Sequence, residues 1–425
     1  MIIYMNFNLT LILILSIIKL ERNENMINEK IYTQFKEYLN YLLVNSTVES
    51  PLWNKEVLIG LKKPGWTYID GCMMVALIAY YKTTNNKEIL NYVDNFIDKL
   101  VDDDGHVTIY YYDNYNNFTT TGCDSDPCNM AKVLYTLYDE THKEKYHKAI
   151  DFFMNNQVRK LPRIRGNFWH KIKYYNQIWL DGLYMILPFF AEYSKRYNDR
   201  KDFYDITYQL ENALNLTWED DKKLMVHGYD GQYLDQTKKM IWSNPLNGHS
   251  QIVWLRACGW YEMALVDVLE IIDDDSLKQK INNLIKKSID GLLLYLDKNT
   301  NMFYQVPNMQ SKDGNYLETS GTLMVAYAIL KAIRLNALPK SYQEIGLNIL
   351  YGTCNKYLTK SPEGNYTFGG ICIGAGLTAS RTDKYAGTYD MYISREIVND
   401  DGKGIGPLIL AFSEALLIKQ IKSKC

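Results

Sequence analysis

Apolar positions recur at helical spacing through almost the whole chain. Their period predicts twelve helices, over about 28–45, 70–84, 87–101, 126–138, 143–157, 177–197, 200–215, 249–270, 275–295, 317–335, 341–357 and 404–420. Two kinds alternate. INEKIYTQFKEYLNYL, KEILNYVDNFIDKL and SLKQKINNLIKKSIDGLL set a charged face against an apolar one, whereas GCMMVALIAYY, WLDGLYMILPFF, RACGWYEMALVDVL and SGTLMVAYAIL are apolar or small nearly all round. A helix apolar all round must be buried, and one with a polar face lies outside. Six of each predict an all-α (α/α)6 barrel, an inner ring of parallel helices inside an outer antiparallel ring. An array of four-helix bundles or an open solenoid could use the same helices. No fixed-period repeat supports the solenoid.

Parallel inner helices would bring all their N-termini to one face. The unusual polar and aromatic residues fall at or just before those ends: Trp66 and Tyr68, Asp124 and Asp126, His170, Lys171 and Asp181, Trp254, Arg256 and Trp260, Glu318, and Lys403. The pooled helix dipoles would favour an anion at that mouth. Asp181 stands inside the apolar run Ile178–Met185, where an ionised carboxylate is costly unless paired or protonated. Either it is a satisfied structural Asp, or it is a working acid with a shifted pKa, and its aromatic and cationic neighbours favour the acid. Asp126, in DSDPCNMAK, fits a helix N-cap equally well. Facing Asp181 across a mouth, one carboxylate would raise the other's pKa. His227 lies beside Gly228 in the long 216–248 connection, which favours exposure to a cavity over packing in a core; it is either a loop histidine with a local hydrogen bond or a working one. Arg256, in VWLRACGW, needs an anionic partner. That partner is either an internal one, Glu262, or a substrate carboxylate, with Trp254 and Trp260 stacking on sugar faces.

The totals narrow the function classes. The chain has 425 residues and a formal net charge of -2, so nothing polybasic points to a nucleic-acid partner. Seven scattered cysteines without a CxxC pair point to reduced thiols. GGICIGAG at 369–376 is followed by no GK[ST], and no HExxH or GxSxG occurs, so no cofactor, no metal and no acyl-transfer serine are expected. No linker-like stretch divides residues 26–425, which predicts a single catalytic domain. Residues 1–25 are an apolar extension. Its Leu9–Leu20 run is too short to span a bilayer, and it lacks preceding basic residues and a cleavage site. No stable membrane span is expected, and the chain is expected to be a monomer. Met26 opens an amphipathic helix, and a start there would place the protein in the cytoplasm; secretion is the alternative if 1–25 is a signal peptide.

Several motifs occur in order: GNFWHK at 166–171, QIWLDGLYM at 177–185, PFFAEY at 188–193, HGYD at 227–230, WSNPLNGHSQIVWLRACGW at 242–260, YLETSGTLMVAYAILK at 316–331 and NDDGKGIGP at 399–407. From about Met26 onward the chain resembles glycoside hydrolase family 105, the unsaturated rhamnogalacturonyl hydrolases. The resemblance implies an (α/α)6 barrel acting on a small oligosaccharide that carries a 4,5-unsaturated galacturonate at its non-reducing end. It implies hydration of the vinyl ether. On it Asp181 is the general acid that also activates the water, and Asp126 is the second carboxylate. His227, Arg256, Trp254, Trp260, His170 and Lys171 would bind substrate, with Tyr68 a weaker carry-over. One departure is local: the family's Asp-x-Ile-Asn-Pro-Gly-Lys reads Asp126-Pro-Cys-Asn-Met-Ala-Lys132 here. The alternative enzyme is an unsaturated glucuronyl hydrolase of the related family 88, acting on glycosaminoglycan fragments. A non-catalytic toroid would not need Asp181 in an apolar helix, and an epimerase would need more central histidines.

Overall fold

A computed structural model describes residues 27–113, 117–362, 364–378 and 380–424. Among them are twelve principal helices: α1 (Glu29–Val44), α2 (Tyr68–Thr84), α3 (Lys87–Asp98), α4 (Val133–Thr141), α5 (Glu144–Phe153), α6 (Leu180–Tyr197), α7 (Phe203–Thr217), α8 (Leu255–Ile271), α9 (Asp275–Leu293), α10 (Thr319–Arg334), α11 (Gln343–Tyr357) and α12 (Gly402–Lys424). The even-numbered helices form the inner ring. α2 packs on α12, α12 on α10, α10 on α8 and α8 on α6, and the short turn Cys128–Ala131 ahead of α4 closes the circle between α6 and α2. The architecture is the expected (α/α)6 toroid.

Burial follows the two sequence classes. Outer helix α9 is capped by the Asp274 side chain and buries one stripe, Ile281, Leu284, Ile285, Ser288, Ile289 and Leu292. Inner helix α10 is buried over its whole length from Thr319 to Ile333. α12 is apolar enough over 402–421 to cross a bilayer, but 72% of that window is buried inside the ring.

The expected helix starts needed correcting at the mouth. Residues Gln177–Trp179 pair as a strand with Gly228–Asp230, so α6 begins only at Leu180. Residues 249–254 are not helical: Tyr229 bridges to His249, and α8 starts after an extended Trp254. The segment expected as one helix over 126–138 is broken at Lys132 into the 128–131 turn and α4. In the first two cases the backbone groups of the expected first turn are committed to strand pairing or to an extended approach to the next element. The 1–25 extension lies outside the described residues.

Candidate active site

The strand pair sets the centre of the site. Its register puts Trp179 opposite Gly228, so the next residues on either side, Leu180 and His227, come together. The Leu180 amide donates to the His227 carbonyl at 3.2 Å. Asp181 then falls in the first turn of α6, with Oδ2 3.1 Å from His227 Nε2. Gly182 follows because His170 packs against the helix there. A Cβ at that position would sit 3.0 Å from His170 Nδ1 and 3.3 Å from Ser125 Oγ.

A cavity of about 670 Å³ opens at this end of the ring, within the size range of ligand sites. Asp181, Asp126, His170, Lys171, Tyr68, Trp254, Arg256 and Trp260 all line it. His227 does not. Its side chain is 0% exposed, against 13% for Asp181, so it stands behind the acid and not in the cavity where the sequence suggested. The reason is the strand pairing: Gly228 is part of β structure and not of a free loop.

Neither carboxylate is arranged as first reasoned. Asp126 is no N-cap, since no side chain caps the 128–131 turn. Its carboxylate forms a tight ion pair with Lys171. Asp181 is not raised by Asp126. Burial pushes its carboxyl up, but the charge and hydrogen bond of His227, with His170 beyond, outweigh that and hold it below the ordinary value. Asp181 is therefore ionised at neutral pH, and His227 Nε2 must donate to it. Burial keeps His170 well below its usual pKa and thus neutral. Its ring stacks on Trp179 at 4.6 Å and takes a contact of 3.2 Å from Ser125 Oγ at Nδ1. Asp124, also on the wall, is pushed up to about 6 by burial, against the pull of Lys171.

Arg256 is 1% exposed, and Glu262 is not its partner. Its Nε donates to Ser320 Oγ at 2.7 Å, and Nη2 is 3.5 Å from Glu318 and in close contact with the Cys372 carbonyl. Nη1 has no protein acceptor among the described residues. The guanidinium is thus fixed by the N-cap of α10, and Arg256 lines the cavity. Trp254 is held by Gln305 Oε1 at 3.2 Å and packs its ring 4.8 Å from that of His227, while Trp260 stacks on Tyr184 at 5.0 Å. Lys403, buried, pairs with Asp401 and reaches Glu56 on the cavity wall.

Sequence reasoning passed over Trp179 and Tyr174, which stack at 4.2 Å and line the cavity, and the outer wall of Lys63, Lys173 and Tyr110–Tyr112. It also passed over Tyr392, whose hydroxyl is 2.6 Å from His227 Nδ1. A signal for the last existed in the length of the 358–403 connection, which is unusual for a structureless loop.

The chain as a whole has known relatives. The profile of Glycosyl Hydrolase Family 88 matches residues 48–419. The chain belongs to the glycosyl hydrolase 88/105 family. A family 105 glycoside hydrolase of C. acetobutylicum is 33% identical, with a TM-score of 0.75, over 87% of this chain and 99% of that one. Protein Atu3128 of Agrobacterium fabrum is 35% identical over 238 residues, 55% of this chain and 99% of its own length. An unsaturated glucuronyl hydrolase specific for heparin shares the fold at a TM-score of 0.61 and 12% identity, over 94% of this chain and 99% of its own. The enzyme is therefore a glycoside hydrolase of this family, with a carbohydrate substrate.

Proposed function

We propose that the enzyme removes a 4,5-unsaturated galacturonate from the non-reducing end of rhamnogalacturonan fragments by hydrating the vinyl ether. The observation that carries this reading is Asp181 on a cavity wall, backed by a buried histidine, in a cavity that Arg256 also lines. Arg256 Nη1 and Lys171 offer positive charge to the uronate carboxylate, and Trp254, Trp260 and Trp179 offer flat apolar faces to its ring. Asp181 gives a proton to C4, and positive charge develops at C5 and the ring oxygen. Water bonds to C5 and passes its own proton to Asp181, which is restored. The hemiketal at C5 then opens, and the aglycone leaves.

The depressed pKa of Asp181 is compatible with an acid's role once substrate is counted. A uronate carboxylate entering the site brings a like charge towards Asp181, which raises the proton affinity of the Asp181–His227 pair. The Lys63, Lys173 and tyrosine wall lies further along the same cavity and suits the aglycone.

The test is to incubate the enzyme with lyase-generated unsaturated disaccharides of the galacturonyl-rhamnose and glucuronyl-hexosamine series, following loss of ultraviolet absorbance. Turnover of the first series with little of the second is expected. Preference for the second would transfer the enzyme to the glucuronyl hydrolases, and inertness to both would end the hydration reading.

A further inference from the structure

Behind the acid lies a chain of three groups. The Tyr392 hydroxyl meets His227 Nδ1 at 2.6 Å, and His227 Nε2 meets Asp181 Oδ2 at 3.1 Å. Tyr392 is fully buried, as is His227, and neither lines the cavity. Tyr392 is itself fixed, because Gln305 Nε2 donates to its carbonyl at 3.0 Å while Gln305 Oε1 holds Trp254. No position along the chain other than the 358–403 connection supplies a polar atom to Nδ1 among the described residues.

An imidazole offers two nitrogens with linked roles, and a phenol hydroxyl can either donate or accept. We propose that Tyr392 is a positioning residue whose hydroxyl donates to Nδ1 in the unloaded pair and accepts from it once the pair has taken up the catalytic proton, so that Nε2 faces Asp181 throughout and the two residues carry that proton as a pair. The inference rests on the hydration reading above. In the loaded pair the proton sits on Nε2 or on the Asp181 carboxyl, and crossing between them breaks no hydrogen bond at Nδ1. When Asp181 has protonated C4, it recovers a proton from the attacking water, and the pair returns to its starting count. The depressed pKa of Asp181 agrees with an Nε2–H donor in the empty site. The other titratable groups acting on the pair are His170, which is neutral, Tyr174, and the buried thiol of Cys258, pushed up beyond its ordinary value by burial. None of them can replace Tyr392 at Nδ1.

The experiment is a pH profile of kcat and kcat/KM for Tyr392→Phe against the wild-type enzyme on the unsaturated disaccharide. The imidazolium loses a charge-assisted acceptor, which is a stronger bond than the one its neutral form loses. The loaded pair then gives up its proton earlier, so the alkaline limb should move to lower pH by about half to one unit, and kcat at neutral pH should fall about tenfold. KM should change less than about threefold, since the hydroxyl does not reach the cavity. An alkaline limb in the same place, with kcat and thermal stability lowered together, would make Tyr392 merely structural and overturn the proposal. Imidazole nitrogen-15 spectra of His227, assigned with His227→Gln, read the tautomer without any turnover. Loss of the Nε2–H form in Tyr392→Phe supports the proposal, and an unchanged tautomer refutes it. If wild-type enzyme proved inert to every unsaturated uronide, the hydration reading would fall on that result alone, while the tautomer measurement would still decide what Tyr392 does.

Discussion

The two ends of the inner ring handle buried charge in opposite ways. Towards the C-terminal ends of α8 and α10, Lys331 is bonded to Asp267 and Glu270, Arg334 to Glu270 and Glu414, and Tyr327 to Asp267. Each cation there is matched by two carboxylates, and the last-turn positions of Lys331 and Arg334 also suit the helix dipole. At the mouth the charges are fixed but not used up. Asp181 keeps 13% of its side chain open to a cavity, and Arg256 keeps one nitrogen without a protein acceptor among the described residues. A closed network holds the barrel together, and an open one is ready to take a ligand. In sequence both look alike, as polar residues inside apolar helices.

The sharpest break between the two ends is Asp181→Asn. An amide at this position keeps the shape but cannot supply a proton, so kcat should fall ~10³-fold or more. The fold should hold, because Nε2–H can still donate to the amide oxygen, with only a small loss of stability from giving up the charged form that His227 favours. Turnover of the unsaturated disaccharide and thermal melting measure the two. Wild-type turnover in the variant would take the acid out of the mechanism.

Exchanging the ends comes next in size. Lys331→Met leaves Asp267 and Glu270 short of a buried cation and should cost about 3 kcal/mol of stability, read from denaturant melts, with kcat/KM within twofold of wild type. Arg256→Lys keeps the charge but loses the planar fork that Ser320, Glu318 and Cys372 hold. KM for the disaccharide should rise about tenfold to a hundredfold, with a smaller change in stability than at Lys331. If Lys331→Met instead raised KM while Arg256→Lys only lowered the melting point, the assignment of the two ends would be reversed.

What could be read from sequence was whatever depends on helical period. The alternation of amphipathic and wholly apolar helices was enough for the ring. Its parallel inner members were enough to gather Tyr68, Asp126, His170, Lys171, Asp181, Trp254, Arg256 and Trp260 around one cavity. The pairings were not legible, because they depend on register between distant segments. Asp181 and His227 are 46 residues apart and meet through a three-residue strand that looked like the start of a helix. Glu262 was the wrong partner for Arg256 on helix geometry alone: side chains six residues apart point about 120° away from each other. The real partner, Glu318, is 62 residues on, capping the neighbouring inner helix. Asp126 went to Lys171 because the 124–171 bridge lays the two segments side by side.

Glu262 also shows that an acid in an apolar helix is not by itself a sign of chemistry. Both of its carboxyl oxygens are buried without a hydrogen-bond partner, and burial raises its pKa to about 8, eased only in part by Ser288, whose hydroxyl is committed to the Leu284 carbonyl. It is therefore neutral at pH 7, whereas Asp181, also set in an apolar stretch of helix, is ionised because His227 donates to it. The two acids should affect stability with opposite signs of pH dependence. Asp181, held below its unfolded value, stabilises the fold above that value and loses this as pH falls through the depressed one. Glu262, raised from 4.5 to about 8, leaves stability intact below pH 4.5 and lowers it as pH rises towards 8. Glu262→Gln cannot ionise, so its stability relative to wild type should improve between pH 5 and pH 8, by on the order of 3 kcal/mol, with activity unchanged. The amide is itself a buried polar group without a partner, so the offset at pH 5 carries no weight and only the slope does. Denaturant melts of both proteins across that range give the slope, and parallel curves would mean that Glu262 is already ionised, or already solvated, at pH 5.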